Sequence, residues 1–253
     1  MDSETQILKR LLSLSNHIPE VVLLKQTTES TNDDVKILAQ QGVSTALVCS
    51  ETQTQGRGQH HREWQSPQGN IYFSTLVNTT IPLDGRLALE TALNLLHMPC
   101  ICNLDLYIKW PNDLYSMQGK WGGILVEPIS AHQAVVGVGI NLFPHTSIAS
   151  LDQQTTSLTQ LALLDVSRAE VIAQMYIAIQ NAVQWFNYGS QNLAERFNHV
   201  AMFKNRMVTF EHAQGKIQGI FTGIESDGAV CIEVDGKINN FYQGRLRLLE
   251  GTS

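Results

Sequence analysis

Lys109 and Lys120 flank the segment Trp110-Pro111-Asn112-Asp113, and each lysine adjoins an apolar run. Lys109 closes Leu106-Tyr107-Ile108, and Lys120 leads through Trp121-Gly122-Gly123 into Ile124-Leu125-Val126-Glu127. A cation at a strand end, beside a second strand with two glycines, can approach a bound carboxylate or phosphate closely. Pro111 pre-sets a turn and restricts Trp110 to extended backbone, which gives Lys109 a fixed launch direction. Taken alone, Lys109 reads equally as a surface lysine at a strand end.

Two more segments carry the same kind of chemistry. Gly56-Arg57-Gly58-Gln59-His60-His61-Arg62-Glu63-Trp64 combines glycines, which let backbone N–H groups wrap an anion, with arginines that can grip it in a fork. It is neither the phosphate loop nor the dinucleotide turn, and by itself it is equally a solvated basic loop. In Gly137-Val138-Gly139-Ile140-Asn141, alternate glycines clear one face of a strand, and Asn141 offers donor and acceptor. That pattern also fits a tightly packed strand with no ligand.

The elements that must position these groups follow from periodicity. Helices are expected over 4–15, 32–41, 86–96, 168–187 and 190–200, with Ser30 or Thr31 capping the second and Gly42 stopping it. In the fourth, Val171, Ile172, Met175, Ile179 and Val183 share one face. Strands are expected over 21–24, 45–50, 70–77, 105–109, 121–128 and 133–140. Residues 51–69 are polar, with no aliphatic residue, and read as a loop that is either functional or disordered. From Arg206 the texture changes to short runs separated by Gly215, Gly219, Gly223, Asp227-Gly228 and Asp235-Gly236, the pattern of a small β-barrel module. The reading is therefore α+β, with one domain over 1–203 and a second over 204–253.

The chain has 253 residues with 43% hydrophobic composition, enough for a sizeable core. No apolar run approaches a membrane span, and the acidic start lacks the features of a secretory signal. The four cysteines lack paired metal spacing, and Cys100 and Cys102 alone make a poor zinc half-site. The cytoplasm is the expected compartment. A net charge of −6 argues against general attraction to nucleic acid but allows a local cationic site.

Taken in order, Ser30-Thr31-Asn32, Gly56–Trp64, Lys109–Asp113, Lys120–Glu127 and Gly137–Asn141 resemble the biotin protein ligases across roughly residues 20–250. The resemblance implies a mixed sheet with flanking helices, of the class II synthetase-like type, followed by an SH3-like β-barrel. It implies ATP-dependent conversion of biotin to biotinyl-5'-AMP, then transfer to a lysine of a biotin carboxyl carrier protein, that of acetyl-CoA carboxylase by default. ATP enters with Mg²⁺, and no resident metal is implied.

By the same resemblance, Lys109 and Arg57 are the catalytic residues. Ser30 and Thr31 would hydrogen-bond the ureido ring of biotin, with Asn32 and Gln53 beside it. Arg57 and Gly58 lie on a loop that closes over the ligand, and Gly56 and Gln59 share it. Lys109 would meet the biotin carboxyl and the α-phosphate. Arg62, Trp64 and Asn141 would serve the nucleotide, and Gly122 and Gly123 would let the backbone approach the biotin rings. Asn112, Leu125, Gly137 and Gly139 complete the expected lining. Relatives dimerise by pairing sheets, so a homodimer is open.

Three departures stand out. Gln59 and His61 replace a second arginine and a third glycine of the loop, which implies weaker retention of the adenylate. Trp121 is bulkier than the usual small residue. Gly244-Arg245-Leu246-Arg247 stands where the family often carries an acidic residue after the glycine. A DNA-reading repressor module is not expected, because about 20 residues before the first strand are too few for one. Lipoate ligases and lipoyl or octanoyl transferases share the fold but lack Lys-Trp-Pro-Asn-Asp. A non-catalytic biotin-binding module would not need both Arg57 and Lys109. Asp105 and Asp113 are the nearby carboxylates that could receive the carrier lysine's proton.

Overall fold

The computed structural model describes residues 3–15, 18–145 and 154–249. A seven-stranded mixed sheet runs in the order β1-β2-β3-β7-β6-β5-β4. Its strands are β1 Val21–Thr28, β2 Ala46–Gln53, β3 Ile71–Asn78, β4 Leu106–Lys109, β5 Asp113–Ser116, β6 Gly119–Pro128 and β7 Gln133–Ile140. Only the β1–β2 pair is parallel; the other neighbours are antiparallel.

Period-two alternation in the central strands assigns the two faces. On one face, Leu47, Cys49, Phe73 and Val136 join the main core, covered by α1 Ser3–Ser13, α3 Arg86–Leu96 and α5 Arg168–Asn187. On the other, Ala46, Val48, Leu76 and Val135 pack against Val35 of α2 Thr31–Gln40. The sequence places α5 well: Ser167 and Glu170 form a capping box, and the five predicted face residues are all buried. Two further short helices are α4 Leu158–Leu161 and α6 Leu193–His199.

The second sheet is antiparallel, five-stranded and ordered β11-β10-β9-β8-β12. It comprises β8 Met207–His212, β9 Gly215–Ile224, β10 Val230–Val234, β11 Lys237–Phe241 and β12 Arg245–Leu248. The expected barrel is an open strand order: β11 and β12 do not pair with each other among the described residues. Curvature nevertheless brings Phe241 of β11 to Phe210 of β8, with ring centroids 4.8 Å apart.

The two sheets share a buried seam. Trp110 packs against Phe210 at 5.9 Å and donates from Nε1 to the Gly228 carbonyl at 3.1 Å. The Trp110–Pro111 peptide is cis. The strand-and-helix expectation missed β5 and α4, each four residues long, too short to display a period. It also ended β1 and β2 early, because both continue into polar residues at the edge of the site.

Candidate functional site

A cavity of about 380 Å³ opens on the α2 side of the large sheet, within the size range of small-molecule sites. Strand register explains its floor. Tyr72 and Ser74 of β3 lie opposite Gly139 and Gly137 of β7, which lie opposite Gly123 and Leu125 of β6. Cross-strand partners share a face, so these six residues form one surface.

The glycines of that surface make room for side chains rather than for a bare strand face. A Cβ on Gly137 would collide with the Asn32 amide, and one on Gly139 would sit 2.5 Å from the Trp64 indole. Gly123 lies under the same ring and the Lys120 side chain. Gly56 and Gly122 do not line the cavity. Gly56 is squeezed against the Trp64 carbonyl at 2.6 Å, and Gly122 faces Leu114 and the Gly139 carbonyl. The small size of both answers to these packing neighbours. The other predicted residues, including Gly58, Gln59, Arg62 and Leu125, line the wall.

One end of the cavity is rich in hydrogen-bonding groups. Ser30 holds the N-cap position of α2 but does not cap it; its hydroxyl accepts from Arg57 at 3.1 Å. The Thr31 N–H, which has no partner within the helix, is instead satisfied by Gln53 Oε1 at 3.0 Å, with the Thr31 hydroxyl 3.2 Å from the same oxygen. Ser74 Oγ lies 2.7 Å from Thr31 Oγ1 and 2.6 Å from Asn32 Oδ1. Asn32 Nδ2 donates to Glu127 at 2.6 Å.

Arg57 was expected to supply a catalytic cation, but here its guanidinium is committed to carboxylates. It forks onto Asp33 at 2.7 and 2.6 Å and reaches Glu127 at 3.0 Å. Lys36 also meets Glu127, at 3.1 Å. Two cations face two anions, so this end carries no net charge. The hydrogen bond from Arg57 holds the Asp33 carboxyl below its ordinary range. Burial would raise Glu127, yet hydrogen bonds from Asn32, Arg57 and Lys36 outweigh it and keep that carboxyl low. The loop carrying Arg57 is a tight hairpin, closed by Gly58 N–H to Arg62 carbonyl at 2.7 Å and Trp64 N–H to Gly56 carbonyl at 2.9 Å.

The opposite end is cationic. Lys109, at the end of β4, is only 5% exposed, and its ammonium lies 5.2 Å from the Tyr115 ring centroid. Burial pushes Lys109 down to about 8; Asp113 opposes the shift, while Lys120, Arg245 and Arg247 reinforce it. Lys120 pairs with Asp113 at 2.6 Å and sits 5.0 Å from the Trp64 ring. Of the two candidate proton acceptors, Asp113 lines the cavity, whereas Asp105 is exposed and lies off its wall.

Asn112 and Asn141 serve the frame as well as the wall. Asn112 exchanges hydrogen bonds with the backbone of Ile124 through its carbonyl and its side-chain amide. Asn141 donates from its side chain to the Thr156 and Lys120 carbonyls at 3.1 and 3.4 Å. Among the described residues, Trp64 Nε1 is buried without a hydrogen-bond partner, a donor at the cavity. Trp121, the bulky departure, is fully buried and donates to the Tyr115 carbonyl at 3.0 Å.

Sequence reasoning missed Asp33, Lys36, Tyr72, Ser74 and Thr155. Asp33 and Asp34 follow Asn32 in the first turn of α2, a visible acidic signal. Tyr72 and Ser74 alternate with core residues of β3, which period two could have assigned to the site face. Thr155 reaches the wall through a bridge to Lys120, which no local pattern announces. No three His, Cys, Asp or Glu side chains gather into a metal site among the described residues.

Fold and site thus define an α+β domain with a second β module, built round one cavity that is neutral at one end and cationic at the other. Residues 23–141 match the Biotin/lipoate A/B protein ligase family, and residues 204–251 match the Biotin protein ligase C terminal domain. The chain belongs to this ligase family, on its biotin protein ligase branch. The bifunctional ligase/repressor BirA of Escherichia coli is 30% identical over 79% of the chain, which spans 65% of that relative's length. A biotin–[acetyl-CoA-carboxylase] ligase of Mycobacterium tuberculosis is 28% identical, with 83% of this chain and 82% of that one covered. The fold matches the biotin protein ligase from Aquifex aeolicus in complex with biotin and ATP, with TM-score 0.76 and 24% identity, over 91% of this chain and 99% of that one.

Proposed function

We propose that this chain activates biotin with MgATP to biotinyl-5'-AMP and transfers the biotinyl group to a lysine of a biotin carboxyl carrier protein. The carrier of acetyl-CoA carboxylase is the expected acceptor. The observation that carries this reading is the polarity of the cavity. Biotin combines an uncharged ureido ring with a carboxylate, and the cavity combines the Ser30, Thr31, Asn32 and Gln53 end with the Lys109 end. Lipoate has no ureido group to satisfy those polar residues, and unsatisfied buried polar groups are costly.

In the first step a biotin carboxylate oxygen bonds to the α-phosphorus of ATP while the bond to pyrophosphate breaks. Negative charge gathers on the phosphate oxygens, and the largely buried Lys109 is placed to offset it. In the second step the carrier amine bonds to the biotinyl carbonyl carbon and AMP leaves. That amine must shed a proton, and Asp113, one of the carboxylates on the wall with Glu63, is placed near Lys109 to draw the ammonium in. The divalent ion would enter with the nucleotide as substrate and offset the charge of its phosphates. Arg57 shapes the biotin end by holding Ser30, α2 and β6 together.

Pyrophosphate release tests the reading. It should require both MgATP and biotin, and lipoate should not replace biotin. Release with lipoate at a comparable rate would reject the specificity argued from the polar end.

A further inference from the structure

At the hydrogen-bonding end of the cavity, counting protons fixes which oxygen donates to which. Ser74 Oγ lies 2.6 Å from Asn32 Oδ1 and 2.7 Å from Thr31 Oγ1. Each of these contacts needs one proton. Glu127 orients the Asn32 amide, because only Nδ2 can face a carboxylate, and it does so at 2.6 Å. Asn32 Oδ1 is thereby turned to Ser74 and can only accept. Ser74 spends its single proton there. One proton cannot serve both contacts, so the Thr31 hydroxyl supplies the other. Its alternative acceptor, Gln53 Oε1, is farther away at 3.2 Å and already receives the Thr31 N–H.

The chain of bonds is therefore directed, from Thr31 through Ser74 and Asn32 to Glu127. Thr31 keeps only lone pairs to offer a ligand. Ser30, its neighbour, has the opposite polarity. The Ser30 oxygen accepts from Arg57 Nη1 at 3.1 Å, which leaves its proton to point away from the guanidinium. Arg57 is itself held by Glu127, at 3.0 and 3.2 Å, and by Asp33. Arg57 and Lys36 together keep the Glu127 carboxylate charged. Ser30, Thr31, Asn32 and Ser74 are all buried, so bulk water does not scramble these directions. Glu127 does not line the cavity, and Ser74 is fully buried beneath it, so both act through the residues they touch.

We propose that Glu127 is the positioning residue that sets the hydrogen-bond polarity of the biotin end, making Thr31 an acceptor and Ser30 a donor. This rests on the ligase reading and deepens it. The pair selects a ring that carries N–H and C=O on adjacent atoms, as a cyclic urea does. The ring N–H donates to Thr31, and the carbonyl oxygen accepts from Ser30. A dithiolane ring offers neither group. A ring with N–H in place of the carbonyl oxygen sets donor against donor at Ser30. Discrimination thus originates in a carboxylate that the ligand does not touch.

The test uses the full chain with Glu127→Gln, whose amide no longer dictates which way Asn32 turns, and Ser74→Ala, which cuts the chain of bonds without removing a charge. The double variant completes the set. Asp34→Asn, on the same helix but paired with Lys25 away from the cavity wall, is the control. Calorimetry compares biotin with 2-iminobiotin, in which N–H replaces the ureido oxygen, and with ATP. Each single variant should weaken biotin roughly five- to fiftyfold, while 2-iminobiotin changes little and ATP binding holds. The preference for biotin narrows by that factor, whereas loosened packing would weaken both ring ligands alike. Both substitutions break one chain, so the double variant should bind biotin about as well as the poorer single. Asp34→Asn should bind as wild type. Equal losses for biotin and 2-iminobiotin, or losses that multiply in the double variant, overturn the proposal. Unchanged biotin binding in both single variants also overturns it, and pyrophosphate release by wild type would then leave the ligase reading standing alone. Biotin binding that depends on Glu127 in a chain that forms no adenylate keeps the polarity and rejects the ligase reading.

Discussion

Replacing Lys109 with methionine should abolish adenylate formation and make the protein more stable. The side chain is 5% exposed and its pKa falls from 10.5 to about 8, chiefly through burial. At 1.36 kcal/mol for each tenfold change, holding that ammonium in the folded state costs roughly 3 kcal/mol at neutral pH. Methionine keeps much of the volume and removes the charge. The cost has a defined pH window. Below about 8 the lysine is charged in both folded and unfolded chains, and the full cost applies. Between about 8 and 10.5 the folded protein binds fewer protons than the unfolded one, so wild-type stability rises with pH. Above 10.5 the difference is gone. Urea unfolding of wild type and Lys109→Met at pH 7 and pH 9.5 measures this directly. The variant should lead by up to roughly 3 kcal/mol at pH 7 and by clearly less at pH 9.5. A variant less stable than wild type at pH 7, or a gap independent of pH, would refute the desolvation argument. Lys109→Ala should likewise lose both half-reactions while staying folded.

Arg57→Ala leaves Asp33 and Glu127 facing each other without their shared cation, and should destabilise the fold by roughly 1–3 kcal/mol, discounted from a fully buried pair because these groups are partly exposed; chemical denaturation and the KM for biotin check it, and a rise in the KM for ATP alone would contradict the bracing role. Gly137→Ala drives a methyl into the Asn32 amide, so biotin affinity should fall by an order of magnitude or more in calorimetry, consistent with about 1–3 kcal/mol for overpacking. Gln59→Arg adds a cation at the cavity wall and should slow adenylate dissociation; an unchanged dissociation rate would show that position 59 does not contact the adenylate.

Most of the large sheet was legible because its strands alternate cleanly or run fully apolar, and α5 because its periodic face and capping box agree. The site motifs were legible as residues, but their partners were not. Gly137 and Gly139 announced a cleared strand face, yet only the fold shows that Asn32 and Trp64 occupy the clearance. Arg57 read as a spare cation because Asp33 and Glu127 lie far from it in sequence. Arg245 read as a missing acid; the structure places it on the cavity wall, from a sheet whose seam with the first, Phe210 on Trp110, no local pattern encodes. Short elements such as β5 carry too few residues for any period, and pairing with β6 defines them instead.

Native mass spectrometry of the purified chain after incubation with biotin and MgATP tests the central claim most directly. One cavity with a polar neutral end and a cationic end should yield a single bound biotinyl-AMP with pyrophosphate in solution. Biotin and ATP bound together but unconverted, or an equal yield of lipoyl-AMP when lipoate replaces biotin, would contradict it.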